Sequence, residues 1–484
     1  MQFDSVLFFI LFPIAVFAYY IIPKRFRYVW LLAVSYAFYV SLAGKAVFVL
    51  ILSTAVTYFL GLILQEAEEA RAKKAILSAG VTVLAGTLFI FKYLDFSLAL
   101  SGSGLRFNLI LPLGISFYIF QSISYIADVY KKKIKAEKNP LKLALFTSFF
   151  LSIVSGPINR APDMLGQFEC NSDLSYDAAK RGLQKMLWGY FLKIAVAGRL
   201  VIAVDNVYAD ADAYPGFVIA FAALAYLFML YCDFEGYSQI VTGAACILGI
   251  KMKENFRQPF YSSGMGELWR RWHISLSTWL RDYIYIPLGG NRRGTVRKYI
   301  NIFVVLFISG IWHGANLTFI IWGAINGFFI IAGQILLPYR DRVASVLKEK
   351  ICKNEKQENT FESVRTFFKR IGVYILSAYT FIYFANSDVL SAYKAVKGIL
   401  TRFSLSDISA VTTLGLGRFN LAVTLVMVLF VLVFDGMADK RSCDTPSVAA
   451  ALPTPVRWAL YYALVCAILM SMNLGGKEFI YSNM

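Results

Sequence analysis

Charge is scarce in this 484-residue chain. Asp, Glu, Lys and Arg make up 16% of it, against roughly a quarter in a soluble globular domain. Beside a hydrophobic content of 58%, that deficit excludes an ordinary water-soluble fold. Histidine is scarcer still, with only His273 and His313. The six cysteines (Cys170, Cys232, Cys246, Cys352, Cys443, Cys466) form no Cys-x-x-Cys pair. No Cys/His metal site is therefore expected, and most of the cysteines read as small buried hydrophobes. The chain lacks an internal repeat and a low-complexity tract, which excludes a solenoid. No basic region precedes the first apolar run and no small-residue cleavage site follows it. Residues 5–22 are therefore expected to be a true first span rather than a cleavable signal.

What the chain has in abundance is apolar blocks nearly free of charge: 5–22, 29–42, 46–64, 75–91, 217–232, 299–312, 318–337, 373–384, 421–434 and 459–470. With their flanks, most approach the ~20 residues that cross a bilayer. The expected fold class is all-α, a polytopic membrane helical bundle of about 10–12 transmembrane or re-entrant helices. The whole chain, 1–484, is expected to form a single membrane domain.

The net charge of +18 does not point to nucleic acid, because its distribution is sided. If the N-terminus lies outside, successive inner loops receive Lys24, Arg25 and Arg27, then Arg71, Lys73 and Lys74, then Lys131, Lys132, Lys133, Lys135 and Lys138. The outer loops receive only Lys45, Lys92 and Arg106. This is the positive-inside asymmetry. It predicts a multi-pass protein of a bacterial cytoplasmic membrane with both termini outside. The basic stretches 251–298 and 339–370 then face the cytoplasm, the second as a solvated loop. The region 141–214 does not allow its crossings to be counted.

The stretch 251–298 is aromatic as well as basic. On a helical wheel at ~100° per residue, residues 266–282 place Leu268, Trp269, Trp272, Leu276, Trp279 and Leu280 on one face, with Arg270, Arg271 and Arg281 away from it. That pattern predicts an amphipathic helix lying in the cytosolic interface. Its cations suit a polyanionic cytosolic donor such as coenzyme A, and a plain membrane-surface role fits equally well. His273 and Ser277 border the apolar stripe.

His313 closes the apolar run 299–312. At ~1.5 Å per residue it lies about 20 Å into the bilayer. An ionisable group at that depth is a functional candidate by default, and a neutral imidazole is the form a general base needs. Ser309 and Asn316 are expected on the same helical face, where they would orient the ring. A histidine that merely bonds a neighbouring helix fits the residues as well. Gly310, Gly314, Gly323 and Gly327 are small-xxx-small pairs that read as helix packing. The run 233–238, with Asp233 and Glu235 inside an apolar stretch, reads either as a surface loop or as a broken helix lining a cavity.

Taken together, several motifs closely resemble the membrane-bound O-acyltransferase superfamily. They are Asp233-Phe234-Glu235-Gly236-Tyr237-Ser238, Glu254-Asn255-Phe256, Trp269-Arg270-Arg271-Trp272-His273-Ile274-Ser275-Leu276-Ser277, Trp279-Leu280-Arg281-Asp282-Tyr283, and Gly310-Ile311-Trp312-His313-Gly314-Ala315-Asn316. The run Ile286-Pro287-Leu288-Gly289-Gly290-Asn291 favours the branch of bacterial alginate O-acetyltransferase membrane subunits over the teichoic-acid D-alanylation branch. The motif-bearing core is about 230–330. Leu111-Pro112-Leu113-Gly114-Ile115-Ser116-Phe117 and Ser155-Gly156-Pro157-Ile158 also look similar.

The resemblance implies an enzyme with a central tunnel, an essential histidine at His313 and a second site residue at His273. Trp312, Ser277, Arg281, Asp233 and Asn255 follow as candidates for binding or orienting substrate. It implies an acyl thioester donor, acetyl-CoA or another, with no cofactor. The acceptor is a hydroxyl on the outer side, reached directly on a polysaccharide or through an extracytoplasmic SGNH-type partner. Relatives often carry a further histidine where Asn326 stands, and an aromatic-rich tail where this chain ends Phe479-Ile480-Tyr481-Ser482-Asn483-Met484. Two other functions stay open at this stage: D-alanyl transfer to teichoic acid, and a transporter or flippase using 233–238 with His313 as proton relay.

Overall fold

In lipid a helix satisfies its own amides, and the apolar blocks take that form. The computed structural model describes residues 3–169, 173–404, 409–412 and 414–472, and the regular elements among these are helical. In chain order they are α1 (Val6–Ile21), α2 (Arg27–Ala43), α3 (Val47–Glu66), α4 (Ala70–Leu100), α5 (Ile115–Tyr130), α6 (Pro140–Ser148), α7 (Ala161–Met164), α8 (Tyr176–Tyr190), α9 (Gly198–Ala209) and α10 (Gly216–Ile247). They continue with α11 (Met265–Arg271), α12 (Ile274–Leu280), α13 (Thr295–His313), α14 (Leu317–Ile351), α15 (Glu355–Ala385), α16 (Val389–Thr401), α17 (Gly417–Arg441), α18 (Thr445–Ala450) and α19 (Thr454–Ser471). Among the described residues, eight helical stretches are long and apolar enough to cross a membrane, and α1 is a shorter apolar helix of 16 residues. The protein is a multi-pass helical membrane protein.

The chain divides into two compact units. The first comprises Met1–Tyr190 and Glu235–Glu254, the second Phe191–Phe234 and Asn255–Lys477. In the first unit, glycines bring two helices close. A methyl group on Gly189 would stand 2.6 Å from the Gly236 carbonyl oxygen, and one on Gly182 2.5 Å from that of Gly243. α5 is buried from Ile115 to Val129.

The second unit holds both histidines, and glycine also closes its α13–α14 pair. A methyl on Gly310 would lie 2.4 Å from Phe319 O and 3.1 Å from Gly323 Cα. Backbones that approach this closely leave no room for a side chain, which supports the packing role expected of these residues.

Several expectations need correction. Residues 233–238 form neither a loop nor a break: α10 runs unbroken through them. Both carboxylates are buried and engaged, Asp233 by the Lys193 ammonium at 2.7 Å and Glu235 by the Gln239 amide at 2.6 Å. The transporter reading loses the half-helix end it needed. Residues 339–370 are not a solvated loop but the ends of α14 and α15, joined by a turn that Asn354 caps by accepting from Gln357 N. Lys92 lies inside α4 rather than in an outer loop. Residues 266–282 are two short helices followed by a π-turn, not one amphipathic helix. Of the described cysteines only Cys232 is buried, while Cys466 is exposed. The C-terminal tail and Cys170 lie outside the described residues.

Candidate active site

α13 ends on His313 because Gly314 turns the chain into an extended conformation and gives its N–H to Ile311 O. The next helix starts at once. Asn316 is its N-cap, accepting from Thr318 N at 3.0 Å, while its Nδ2 donates to Ser387 O at 2.6 Å. Asn is a favoured residue at this position. Asn316 therefore does not share a helical face with His313, because the helix it was placed on has already stopped. Ser309 does lie one turn earlier on α13 and is buried. No hydrogen bond joins it to His313 among the contacts of the described residues.

The His313 ring is only 4% exposed and sits in an aromatic enclosure. Trp322 stands edge-on at 5.0 Å, Phe384 at 4.9 Å, Trp312 at 4.8 Å and Phe319 at 6.2 Å between ring centroids. These rings come from α13, α14 and α15, so three helices define one pocket for one imidazole.

His273 is built differently. It sits between α11 and α12 with φ 45° and ψ 52°, in the left-handed region, which costs a non-glycine residue ~1–2 kcal/mol. Strain of this kind persists only where neighbours hold it. Asn255 does so: its carbonyl accepts from Ile274 N at 2.8 Å, and its side-chain oxygen accepts from Ser275 Oγ at 2.6 Å. Arg257 N donates to Arg271 O at 2.9 Å, tying the preceding turn to the same strand of chain. The His273 ring is 2% exposed. It meets Phe234 at 4.7 Å and Trp312 at 5.8 Å. Burial lowers its pKa to about 3, so it is a neutral imidazole at physiological pH.

Trp312 thus contacts both histidines. Two rings far apart in sequence converge on one indole. Beside Phe234, Asp233 pairs with Lys193, which lies in a π-helical turn over Phe191–Ala197. Such turns occur often at functional sites.

Of the sequence candidates, His313, Trp312 and His273 come together directly, Asn255 holds the turn that follows His273, and Asp233 adjoins Phe234 in the chain while pairing with Lys193. Ser277 is one step removed: its hydroxyl bonds Trp272 O at 3.3 Å. Arg281 is exposed and pairs with its neighbour Asp282 at 2.8 Å. Sequence reasoning missed Lys193, Phe234, Trp322 and Phe384. Lys193 carried a signal as a lone cation in an apolar run. Phe384 carried none. Among the described residues no cluster of His, Cys, Asp and Glu could hold a metal ion.

Chemically, the arrangement offers a buried imidazole at the end of a candidate span, a second neutral imidazole nearby, and aromatic walls that keep water away from both.

Residues 135–344 match the model of the membrane-bound O-acyltransferase family. A Pseudomonas putida protein named probable alginate O-acetylase AlgI is 41% identical over 356 residues, covering 69% of this chain and 71% of that protein. A Helicobacter pylori peptidoglycan O-acetyltransferase is 33% identical over 351 residues, covering 65% and 67%. A Bacillus subtilis teichoic acid D-alanyltransferase is 29% identical over 240 residues, covering 45% and 57%.

Proposed function

This chain belongs to the membrane-bound O-acyltransferase family, and from that premise we propose how its two histidines work. The protein is a membrane O-acetyltransferase acting in polysaccharide O-acetylation, as its similarity to alginate and peptidoglycan O-acetylating proteins supports. D-alanyl transfer is less favoured, since the D-alanyltransferase match covers under half of this chain.

The donor is a thioester, acetyl-CoA, presented from the cytoplasmic side, where the basic stretch 251–298 meets its phosphates. The acceptor hydroxyl comes from the outer side, on a glycan or on an extracytoplasmic SGNH-type partner. His313 accepts the hydroxyl proton, and the oxygen attacks the thioester carbonyl to form a tetrahedral oxyanion. Collapse expels the thiolate, the imidazolium returns the proton to sulfur, and an O-acetyl ester and free thiol leave. His273 is neutral, so it can donate one N–H to the oxyanion without carrying charge into an apolar site. Asn255 positions it by holding the backbone of the following turn.

The observation that carries this reading is the convergence of the only two histidines of the chain on Trp312, in the buried interior of the second unit. The test is transfer of labelled acetyl from acetyl-CoA by the purified full chain. His313→Ala is expected to lose roughly 10²–10⁴-fold in rate, the usual worth of a general base, while keeping a cooperative thermal unfolding transition. A variant that transfers at the parent rate would remove His313 from the mechanism.

A further inference from the structure

Apart from the histidine site, α11, α14 and α15 of the second unit border a half-open cavity of about 1140 Å³. This exceeds the ~300–1,000 Å³ of pockets that take drug-sized ligands. The wall is mainly apolar, with Ile330, Leu337, Val343, Phe361, Phe368 and Val373 along it. Each of the three helices contributes a glycine to the lining: Gly266, Gly333 and Gly372. A methyl on Gly333 or Gly372 would meet nothing within 4 Å, and one on Gly266 only Ile330 at 3.9 Å. The glycines therefore do not serve close helix contact here. They border open space.

Charge collects on the same lining. Arg270, Arg340, Arg365 and Lys369 face one carboxylate, Glu267. Glu267 is committed to Arg271 at 2.8 Å, and Arg365 to Asp341 and Glu362. Arg270, Arg340 and Lys369 have no ion-pair partner among the described residues. The side-chain oxygen of Gln334, also on the lining, is buried with no hydrogen-bond partner among the described residues.

We propose that this cavity holds one anionic phospholipid, its acyl chain along α14 and α15 and its phosphate at Arg270, Arg340 and Lys369. α14 is a candidate membrane span, so a chain of this polarity lies within reach of the bilayer. The three cations favour a headgroup of net negative charge, whereas a zwitterionic lipid brings its own ammonium beside its phosphate. The carbon-rich wall suits an acyl chain, whereas a nucleotide would set its polar atoms against carbon unpaired. The bound lipid lies behind the histidine site: between Gly266 and Arg270, Trp269 packs on Trp322 at 5.3 Å, and Trp322 contacts His313.

The test uses the full chain in nanodiscs of phosphatidylcholine with a minor share of phosphatidylglycerol, extracted in mild detergent and weighed by native mass spectrometry. One phosphatidylglycerol is expected to remain bound. Arg270→Gln, Arg340→Gln and Lys369→Gln are each expected to lower its retention roughly fivefold, the worth of one cation near an anionic headgroup. Gly333→Leu with Gly372→Leu keeps every cation but fills the space, and is expected to abolish retention without lowering the unfolding temperature in phosphatidylcholine alone. Equal retention of both lipids would reduce the cavity to ordinary lipid contact and overturn the proposal. So would undiminished phosphatidylglycerol in the glycine double variant. Inorganic phosphate raising the unfolding temperature as much as phosphatidylglycerol would show an anion site that needs no lipid. Coenzyme A retained in place of phosphatidylglycerol, and lost on filling, would make the cavity a donor site instead.

Discussion

A histidine whose pKa falls to about 3 on burial links stability to pH. The unfolded chain carries it near the ordinary value of ~6.5. Between these values the unfolded state binds a proton that the folded state does not, so stability rises with pH there. The contribution is complete above pH ~6.5 and drains away as pH falls toward 3. The unfolding temperature is therefore expected to drop between pH 7 and 5. In His273→Asn, whose side chain does not titrate and tolerates the left-handed backbone, the drop is expected to be shallower. Identical slopes in a thermal melt series would contradict the buried neutral imidazole. At this scale the sequence was informative where a residue type is rare: two histidines left little choice. It was silent on Phe384 and Trp322, which are common aromatics in apolar runs and acquire their role only when α14 and α15 fold against α13. Asn316 shows the reverse error: it sits in the right motif, yet it caps the next helix instead of sharing a face with His313. Asn326 accepts from Trp269 Nε1 at 3.3 Å and donates to Trp322 O at 2.9 Å. It steadies the wall of the site rather than the reacting ring.

Helices α13 and α14 meet through glycine, and that contact sets the distance from Trp322 to His313. A methyl on Gly323 would stand 2.5 Å from Leu306 O and 3.0 Å from Gly310 Cα, both backbone atoms that cannot swing aside. Gly323→Ala is expected to separate the helices, lower stability by ~1–3 kcal/mol as overpacking does, and reduce acetyl transfer although it touches no reacting atom. Gly86→Ala on α4, where the methyl meets nothing within 4 Å, serves as the control. It is expected to be neutral or to stabilise by up to ~1 kcal/mol through helix propensity. Loss of transfer in both variants, or in neither, would refute the link between this contact and the site. Most spans were legible from composition because length and apolarity dictate them, but the candidate span Tyr176–Ala209 was not among the expected blocks, and the block 373–384 lies in α15, which is not one of the candidate spans. Breaks and continuities were not legible. A wheel drawn over 266–282 counts periodicity and has no term for a left-handed histidine held by Asn255. A carboxylate at 233 reads as an interruption until Lys193, from a different element, is found to pair with it.

For the molecule as a whole, the sided distribution of Lys and Arg predicts that the α14–α15 turn faces the cytoplasm. Cys352 caps the end of α14 at that turn and is partly exposed. With the other cysteines changed to Ser, an impermeant maleimide is expected to label Cys352 in inside-out vesicles and not in intact cells. Labelling from the outer side of intact cells would invert the topology. Both the helical class and the family were legible in the chain, the first from hydropathy, the second from motifs crowded into 233–316. The shared indole was not, since it depends on how the second unit packs. That indole and its two histidines underlie the proposal that His313 joins a donor on one side of the membrane to an acceptor on the other. The most direct measurement seals labelled acetyl-CoA inside proteoliposomes of the full chain and offers an acceptor glycan, with partner protein where one is needed, outside. Labelled O-acetyl ester is expected outside with the parent protein and none above background with His313→Gln. Ester formed at equal rates by both, or formed only when donor and acceptor share a compartment, would contradict that proposal.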